Sequence, residues 1–497
     1  MWLPLVALLF LLLLLLVWIR RPYRPDRFPP GPPTFLIFGN IEFINETRKG
    51  VFRPLIAKCR KEFGDIIGII MPTGQRAVHL LDFDLIKEAT AMPEFSGRPS
   101  LFTSLVRSFQ QKLGIIFNEG PTWKEHRRFS LRHLRDLGFG KQSMEGVVLD
   151  EFESLAKEME QNIDSPLTIH NDFFNITVLN VVWQMVASMR VDRNSPEAKQ
   201  MLHSVSEFFR VVGPRSPMNI TPWLRHFFPE WSGYAPLIRH RETTIGIFDK
   251  IIAEHRQTLD RSSPRDFIDQ FLIEMESEDA EARQFTERNL VIVSMDFFVA
   301  GMETSATMLH WSVLLMVMYP DVQTRVQQEL DAALGGRLPS YSDRPRLPYT
   351  EATLMEVSRR CTITPQGVPH STTCDTTLAG YTIPKDTFVY MHLQEIHMDP
   401  EYWGDPEAFR PERFLTADGA VRHDERLIPF GVGKRFCLGE TLARMETFIL
   451  FAGLMQRFRF AAVPGQNLSL DTKFGVVQTP MKYSVTYSKR DGSQQTQ

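Results

Sequence analysis

The chain has 497 residues, of which 43% are hydrophobic and 23% charged, with a net charge of −3. That balance excludes a largely disordered or collagen-like chain, and the missing excess of Lys and Arg excludes bulk binding of nucleic acid. Four cysteines are too few for a disulfide scaffold and place the main domain in a reducing compartment.

In chain order, the first element is an apolar run, Trp2 to Ile19, broken only by Pro4 and followed at once by Arg20, Arg21, Arg24 and Arg27. As a helix its 18 residues reach roughly 27 Å, enough for a thin bilayer core. No charge precedes the run, and Val17-Trp18-Ile19-Arg20 offers no small-residue cleavage site. Residues 1–20 are therefore expected to be an uncleaved signal anchor, with the basic flank in the cytosol. Phe28-Pro29-Pro30-Gly31-Pro32-Pro33 closes a basic, proline-rich hinge over residues 21–33, in which locked φ angles give a stiff spacer.

Length alone allows two to four domains, but residues 34–490 show no internal repeat and no clear boundary. Helical periodicity dominates from about residue 50 to residue 360, and residues 71–85 and 365–395 read as short strands with turns. Loops are expected at Arg261-Ser262-Ser263-Pro264 and over residues 338–342; residues 491–497 form a polar tail. The fold class is mainly α with a small β portion.

A long helix is expected from its N-cap Thr286 to Tyr319-Pro320. Asp296, Glu303 and His310 recur every seven residues on one face and argue against a second membrane span. Phe297, Ala300, Gly301 and Thr304 share another face, where small residues leave room for something flat. Plain helix packing gives the same pattern.

The decisive segment is Phe430-Gly431-Val432-Gly433-Lys434-Arg435-Phe436-Cys437-Leu438-Gly439, which fits F-x-x-G-x-R-x-C-x-G at every fixed position. A lone cysteine is usually a small hydrophobe. Here glycines permit tight turns, backbone N–H groups and the start of the next helix favour a thiolate, and Arg435 adds positive charge. With this motif the sequence resembles the cytochrome P-450 family of haem-thiolate monooxygenases. Glu356-Val357-Ser358-Arg359 is similar to the family's E-x-x-R, Phe409 to Phe414 to the segment that completes its Glu–Arg–Arg network, and Ala300 to Ser305 to its oxygen-activation motif. Trp123 to Leu131, with Gly439-Glu440 and Leu442 to Glu446, resembles the microsomal clan two. Arg360, and Asp386 in place of a common glycine, depart from the pattern away from the motifs.

The resemblance implies a cytochrome P-450 fold with an N-terminal membrane anchor, haem b as cofactor and Cys437 as its iron ligand. Arg98, Trp123, Arg127, His370 and Arg435 would hold the propionates, with Thr304 as the oxygen-side hydroxyl and Glu303 as proton supply. Gly301 would let the helix open for oxygen and water. The implied activity is an NADPH- and O2-dependent hydroxylation or epoxidation of a lipophilic substrate at the endoplasmic reticulum membrane, with the catalytic domain cytosolic. Electrons would come from NADPH–cytochrome P-450 reductase, with cytochrome b5 as a second donor, since no flavin fingerprint or iron–sulfur spacing is present.

Arg128, Arg132 and Arg135, with Lys124 and Lys434, form a basic patch for that acidic partner or a simple solvated face. The pocket would be lined from Phe102 to Ile115, Phe208–Phe209, Phe297–Phe298, Thr364 to Val368 and Phe474 to Val477, with no charged anchor. Phe208, Phe209, Trp223, Phe227 and Phe228 offer a contact with membrane lipid. The likeness is to arthropod members, some of which epoxidise sesquiterpenoid hormone precursors such as methyl farnesoate while others hydroxylate steroids. Two rival readings stay open: a haem-thiolate isomerase or dehydratase, against which the Glu303–Thr304 pair argues, and a non-catalytic haem-binding sensor. Sequons at Asn45, Asn175, Asn219 and Asn467 would be idle in the cytosol.

Overall fold

The structure is a computed structural model that describes residues 24–35, 39–40, 52–71, 74–138, 142–163, 165–170, 173–193, 195–196, 200–202, 216–473 and 475–490. The expected anchor, the first residues of the hinge, the tail, and Asn45, Phe208, Phe209 and Phe474 lie outside them.

Helix outweighs sheet, as the periodicity predicts. The long helix runs Glu287–Met318; the Thr286 side chain accepts from Asn289 N, and Pro320 opens the next helix. It is long and apolar enough to cross a membrane, yet 78% of its most apolar window is buried inside the protein. It is the central strut of the core, and it packs most extensively on helix Asn175–Ala187, itself buried almost throughout. Helix Glu440–Arg457, which follows the cysteine loop, packs on the same strut. Tyr483 closes the core by donating to His310 O at 2.7 Å.

The main sheet has four strands in the order Ile66–Ile70, Arg76–Leu80, Phe388–Met391 and His370–Ser371, with only the middle pair parallel. The expected strand region 71–85 is shifted. Pairing starts at Ile66, and Asp82 ends the second strand by capping helix Phe83–Ala91 through Leu85 N. A further sheet of Leu167–Ile169, Tyr483–Lys489 and Phe458–Ala462 was not foreseen; its strands come from distant parts of the chain. The sheet also sets the site, because Gly97 bridges Ser371 and so brings Arg98 beside the His370 segment.

The proline-rich hinge is fastened to the edge strand. Arg24 donates to Pro29 O, to Pro32 O at 3.2 Å and to Gly68 O at 3.1 Å, and Gly68 N donates to Pro30 O at 2.7 Å. A Cβ on Gly31 would lie 2.0 Å from Gly68 O, so the contact requires glycine.

Candidate active site

Three segments converge on one cavity of about 370 Å³: the cysteine loop, helix Gly120–Asp136 and the long helix. In the loop, Cys437 N donates to Phe430 O at 2.9 Å, and Gly431 and Gly433 both have φ of +73°. A Cβ on Gly433 would also lie 2.6 Å from Thr90 Cβ, so both conformation and space exclude other residues there. Cys437 lines the cavity just before helix Glu440–Arg457. Burial pushes its thiol pKa up, against the backbone N–H groups of Gly439 and Glu440 and the charge of Arg127. The donors expected from the sequence are present, and a cation bound at the sulfur would add to their stabilisation of a thiolate.

Beside the loop, Arg98, Arg127 and Arg435 line the same cavity around Trp123. The Arg435 guanidinium sits 3.5 Å from the Trp123 ring centre and donates to Ser96 O and Asn118 O, while its buried Nη1 meets no partner among the described residues. Arg98 donates to Ile116 O, Val368 O and Pro369 O, and Arg127 to Phe436 O. Burial first, and then repulsion from its arginine neighbours, pushes Arg98 down to about 9 and Arg435 to about 8. Glu119 acts on both, but its carboxylate is spent on Lys112 Nζ and Arg98 N, each at 2.7 Å. Three crowded guanidiniums and an orphaned donor require an added anion, and the paired propionates of haem b fit them. His370 is buried off the cavity wall. Its Nδ1 meets Phe95 O at 2.8 Å, and burial, with Arg98 and Arg435, lowers its pKa well below the ordinary value.

On the opposite wall, Phe297, Ala300, Gly301, Thr304 and Ser305 face the cavity from the long helix. The Thr304 hydroxyl donates back to Ala300 O at 2.8 Å. Glu303 is off that wall, and Asn175 Nδ2 donates to its Oε2 at 3.1 Å. Gly301 has a packing reason to be glycine, since a Cβ would come 2.8 Å from Val182 Cγ2.

The apolar lining follows the sequence only in part. Ile115, Phe297, Thr364 and Val368 line the cavity, whereas Phe298 packs on Trp183 and Phe248, and Val477 is buried elsewhere. Val182, Met185, Met308 and Leu393 were missed, because continuous apolar helices show no cavity-facing stripe. Two buried acids were missed as well. Asp296 Oδ1 accepts from Arg107 Nη2 at 2.6 Å, and its Oδ2 accepts from Ile115 N at 2.6 Å and Ile116 N at 3.0 Å. Glu446, on the cavity wall, is hydrogen-bonded to Ser305 and its Oε1 has no partner among the described residues. Only the seven-residue recurrence of Asp296 hinted at the first, and nothing in the sequence hinted at the second.

A family model described as Cytochrome P450 matches residues 29–487. The chain belongs to the cytochrome P450 family. This P450 is 36% identical over 495 residues to farnesoate epoxidase of Bombyx mori, covering 97% of this chain and 99% of that one. It is also 36% identical to cytochrome P450 2L1 of Panulirus argus, over 94% of this chain and 96% of the relative, and to cytochrome P450 2U1 of Mus musculus, over 97% and 95%. These relatives place the P450 with the microsomal clan two and its arthropod members. Members of the family bind haem b through a cysteine thiolate and are monooxygenases.

Proposed function

We propose that this P450 is a membrane-anchored, NADPH- and O2-dependent monooxygenase of the endoplasmic reticulum that oxidises an unsaturated sesquiterpenoid of the methyl farnesoate type by epoxidation. The observation that carries it is the cavity itself. The apolar side chains of Ile115, Val182, Met185, Phe297, Ile363 and Val368 line the same cavity as Cys437 and Thr304. The resemblance to a farnesoate epoxidase along almost the whole chain supports the substrate class.

Cys437 would be the thiolate ligand, and Arg98, Arg127, Arg435 and Trp123 would hold the propionate side, with His370 bracing the Phe95 carbonyl that precedes Arg98. Haem b, when bound there, supplies the binding and activation of O2. Thr304 breaks its bond to Ala300 O to donate toward the cavity, and Glu303 leaves Asn175 to relay protons through ordered water. The apolar wall keeps other water out, so protons arrive by that relay alone. Arg132, Arg135, Lys124 and Lys434 are exposed, while Arg128 is partly neutralised by Glu125; together they suit docking of NADPH–cytochrome P-450 reductase, and of cytochrome b5 as a second donor. Trp223, Phe227, Phe228 and Trp231 are 58–71% exposed and form an apolar patch suited to lipid.

The test is reconstitution with reductase and lipid, followed by product identification. NADPH-dependent formation of a methyl farnesoate epoxide is expected, and turnover of steroids alone would overturn the substrate class. Thr304→Ala should divert most NADPH electrons to hydrogen peroxide, and unchanged coupling would remove Thr304 from the relay.

A further inference from the structure

His397 is the last residue of the short helix Leu393–His397 and is fully buried. Three segments meet on it. Its carbonyl accepts from Arg359 Nη1 at 2.8 Å, its Nδ1 lies 2.7 Å from Thr362 Oγ1, and its Nε2 lies 2.9 Å from Ile428 N. These neighbours leave the ring one state. A backbone N–H only donates, so Nε2 must offer Ile428 its lone pair. The ring proton then sits on Nδ1 and goes to Thr362 Oγ1, whose own hydrogen is directed to Arg359 O at 3.1 Å. Burial first, and then the Arg359 charge, lowers the ring's pKa to about 3, so this neutral pattern persists at physiological pH.

Ile428 is where the ring reaches the site. Its side chain is buried in the same apolar cluster as Ile396, and its carbonyl accepts from Gly431 N at 3.0 Å, forming the turn that opens the cysteine loop. Leu427, Pro429, Phe430 and Gly431 all line the cavity. Phe430 O, inside that turn, is the acceptor for Cys437 N at 2.9 Å. A short path therefore runs from His397 to the sulfur-bearing residue: Nε2 holds Ile428, and the turn at Ile428 aims Phe430 O at Cys437 N.

We infer that His397 is a positioning residue for the iron ligand: by holding the Ile428 N–H it sets the turn that presents Cys437, and so keeps the sulfur in its ligating pose. The inference rests on reading Cys437 as the haem ligand. Without that acceptor the Ile428 N–H is buried and unsatisfied. The loop would relieve this by drawing away from the helix, taking Phe430 O and Cys437 N with it.

Two amides separate the roles of the two ring nitrogens. Asparagine places its polar atoms where Nδ1 stands, so it keeps the bond to Thr362 and leaves the Ile428 N–H empty. Glutamine reaches the place of Nε2 and can accept from Ile428 through its carbonyl. His397→Asn and His397→Gln are prepared as full-length holoprotein, reduced and exposed to carbon monoxide. The thiolate-type absorption band is then followed with time, well below the thermal midpoint of each protein. His397→Asn should lose that band at least about tenfold faster than the parent, the change expected from one buried donor left without a partner. His397→Gln should keep most of the parent's lifetime. Equal lifetimes in all three proteins would overturn the inference. So would equally fast loss in both variants, which would make the volume of the ring the determinant. Should His397→Asn hold no haem at all, His397→Gln decides: a lasting thiolate band supports the role, and its loss overturns it. A parent with no thiolate band would remove Cys437 as ligand and this inference with it, whereas a stable parent band beside an unaffected His397→Asn removes this inference alone.

Discussion

The core holds two fully buried arginine–carboxylate pairs. In one, Glu356 accepts from Arg359 through both oxygens at 2.7 Å, from Arg413 Nε at 3.3 Å and from Arg410 N at 2.9 Å. Arg359 goes on to His397 O, Pro406 O and Ala408 O, and Arg413 to Trp403 O and Asp405, with Trp403 stacked by the Arg359 guanidinium. In the other, Arg107 and Asp296 join across 189 residues and tie the end of the short helix Phe102–Arg107 to the long helix. The first is a closed network that fixes a helix against the segment leading to the cysteine loop. The second forms part of the cavity wall. Burial is alike in the two; what differs is reach, since the first branches through two arginines into a wider network and the second is a single pair closed by two backbone N–H groups.

Breaking the first pair should have the largest effect. Glu356→Gln strands the fully buried Arg359 guanidinium and leaves Arg413 only Asp405, and losing one partner of a buried pair costs about 3–5 kcal/mol. The expected result is expressed protein that does not retain haem, read from the ferrous–carbon monoxide band. A variant that keeps both haem and thermal midpoint would show that the network is not structural.

Breaking the second should cost less. Arg107→Ala leaves Asp296 its two backbone donors, so a cost near the lower end of the about 3–5 kcal/mol for a buried pair that loses one partner is expected. The loss should be local: faster proteolysis between residues 108 and 118, with the haem spectrum kept. Global unfolding in step with Glu356→Gln would mean that the two pairs act as one.

The two networks also differ in how legible they were. Glu356 and Arg359 are three residues apart on one helix, and Arg413 lies in a recognisable segment, so local spacing exposes them. The cysteine loop and the Trp123–Arg127 spacing are legible for the same reason. Arg107 carries no local sign of Asp296, because a pair spanning 189 residues exists only once the short helix Phe102–Arg107 has packed near the long one. Glu446 lies within the Leu442 to Glu446 likeness to clan two, yet its environment, an acid buried without a cation, has no sequence signature. The cavity-facing residues Val182 and Met308 are hidden within continuous apolar helices in the same way. Spacing reveals what one element does to itself, and the site's specificity is built between elements.

Glu446 sharpens the contrast, as a buried acid with no guanidinium partner among the described residues. Burial raises its pKa well above the carboxyl range, and the bond to Ser305 opposes this only partly. In the folded protein it therefore holds a proton at pH values where the unfolded chain, with a glutamate pKa near 4.3, has released it. The native state binds more protons, so this group's contribution is complete below the unfolded pKa and is lost steadily as pH rises toward the folded one. Glutamine keeps the shape and is neutral at every pH, so Glu446→Gln should match the parent near pH 4.5 and become progressively more stable than the parent toward pH 8. Thermal midpoints of the haem-loaded pair across that range measure it. Parallel curves would mean that Glu446 titrates as an ordinary carboxyl, and that an acid at the cavity wall can stay charged without an arginine behind it.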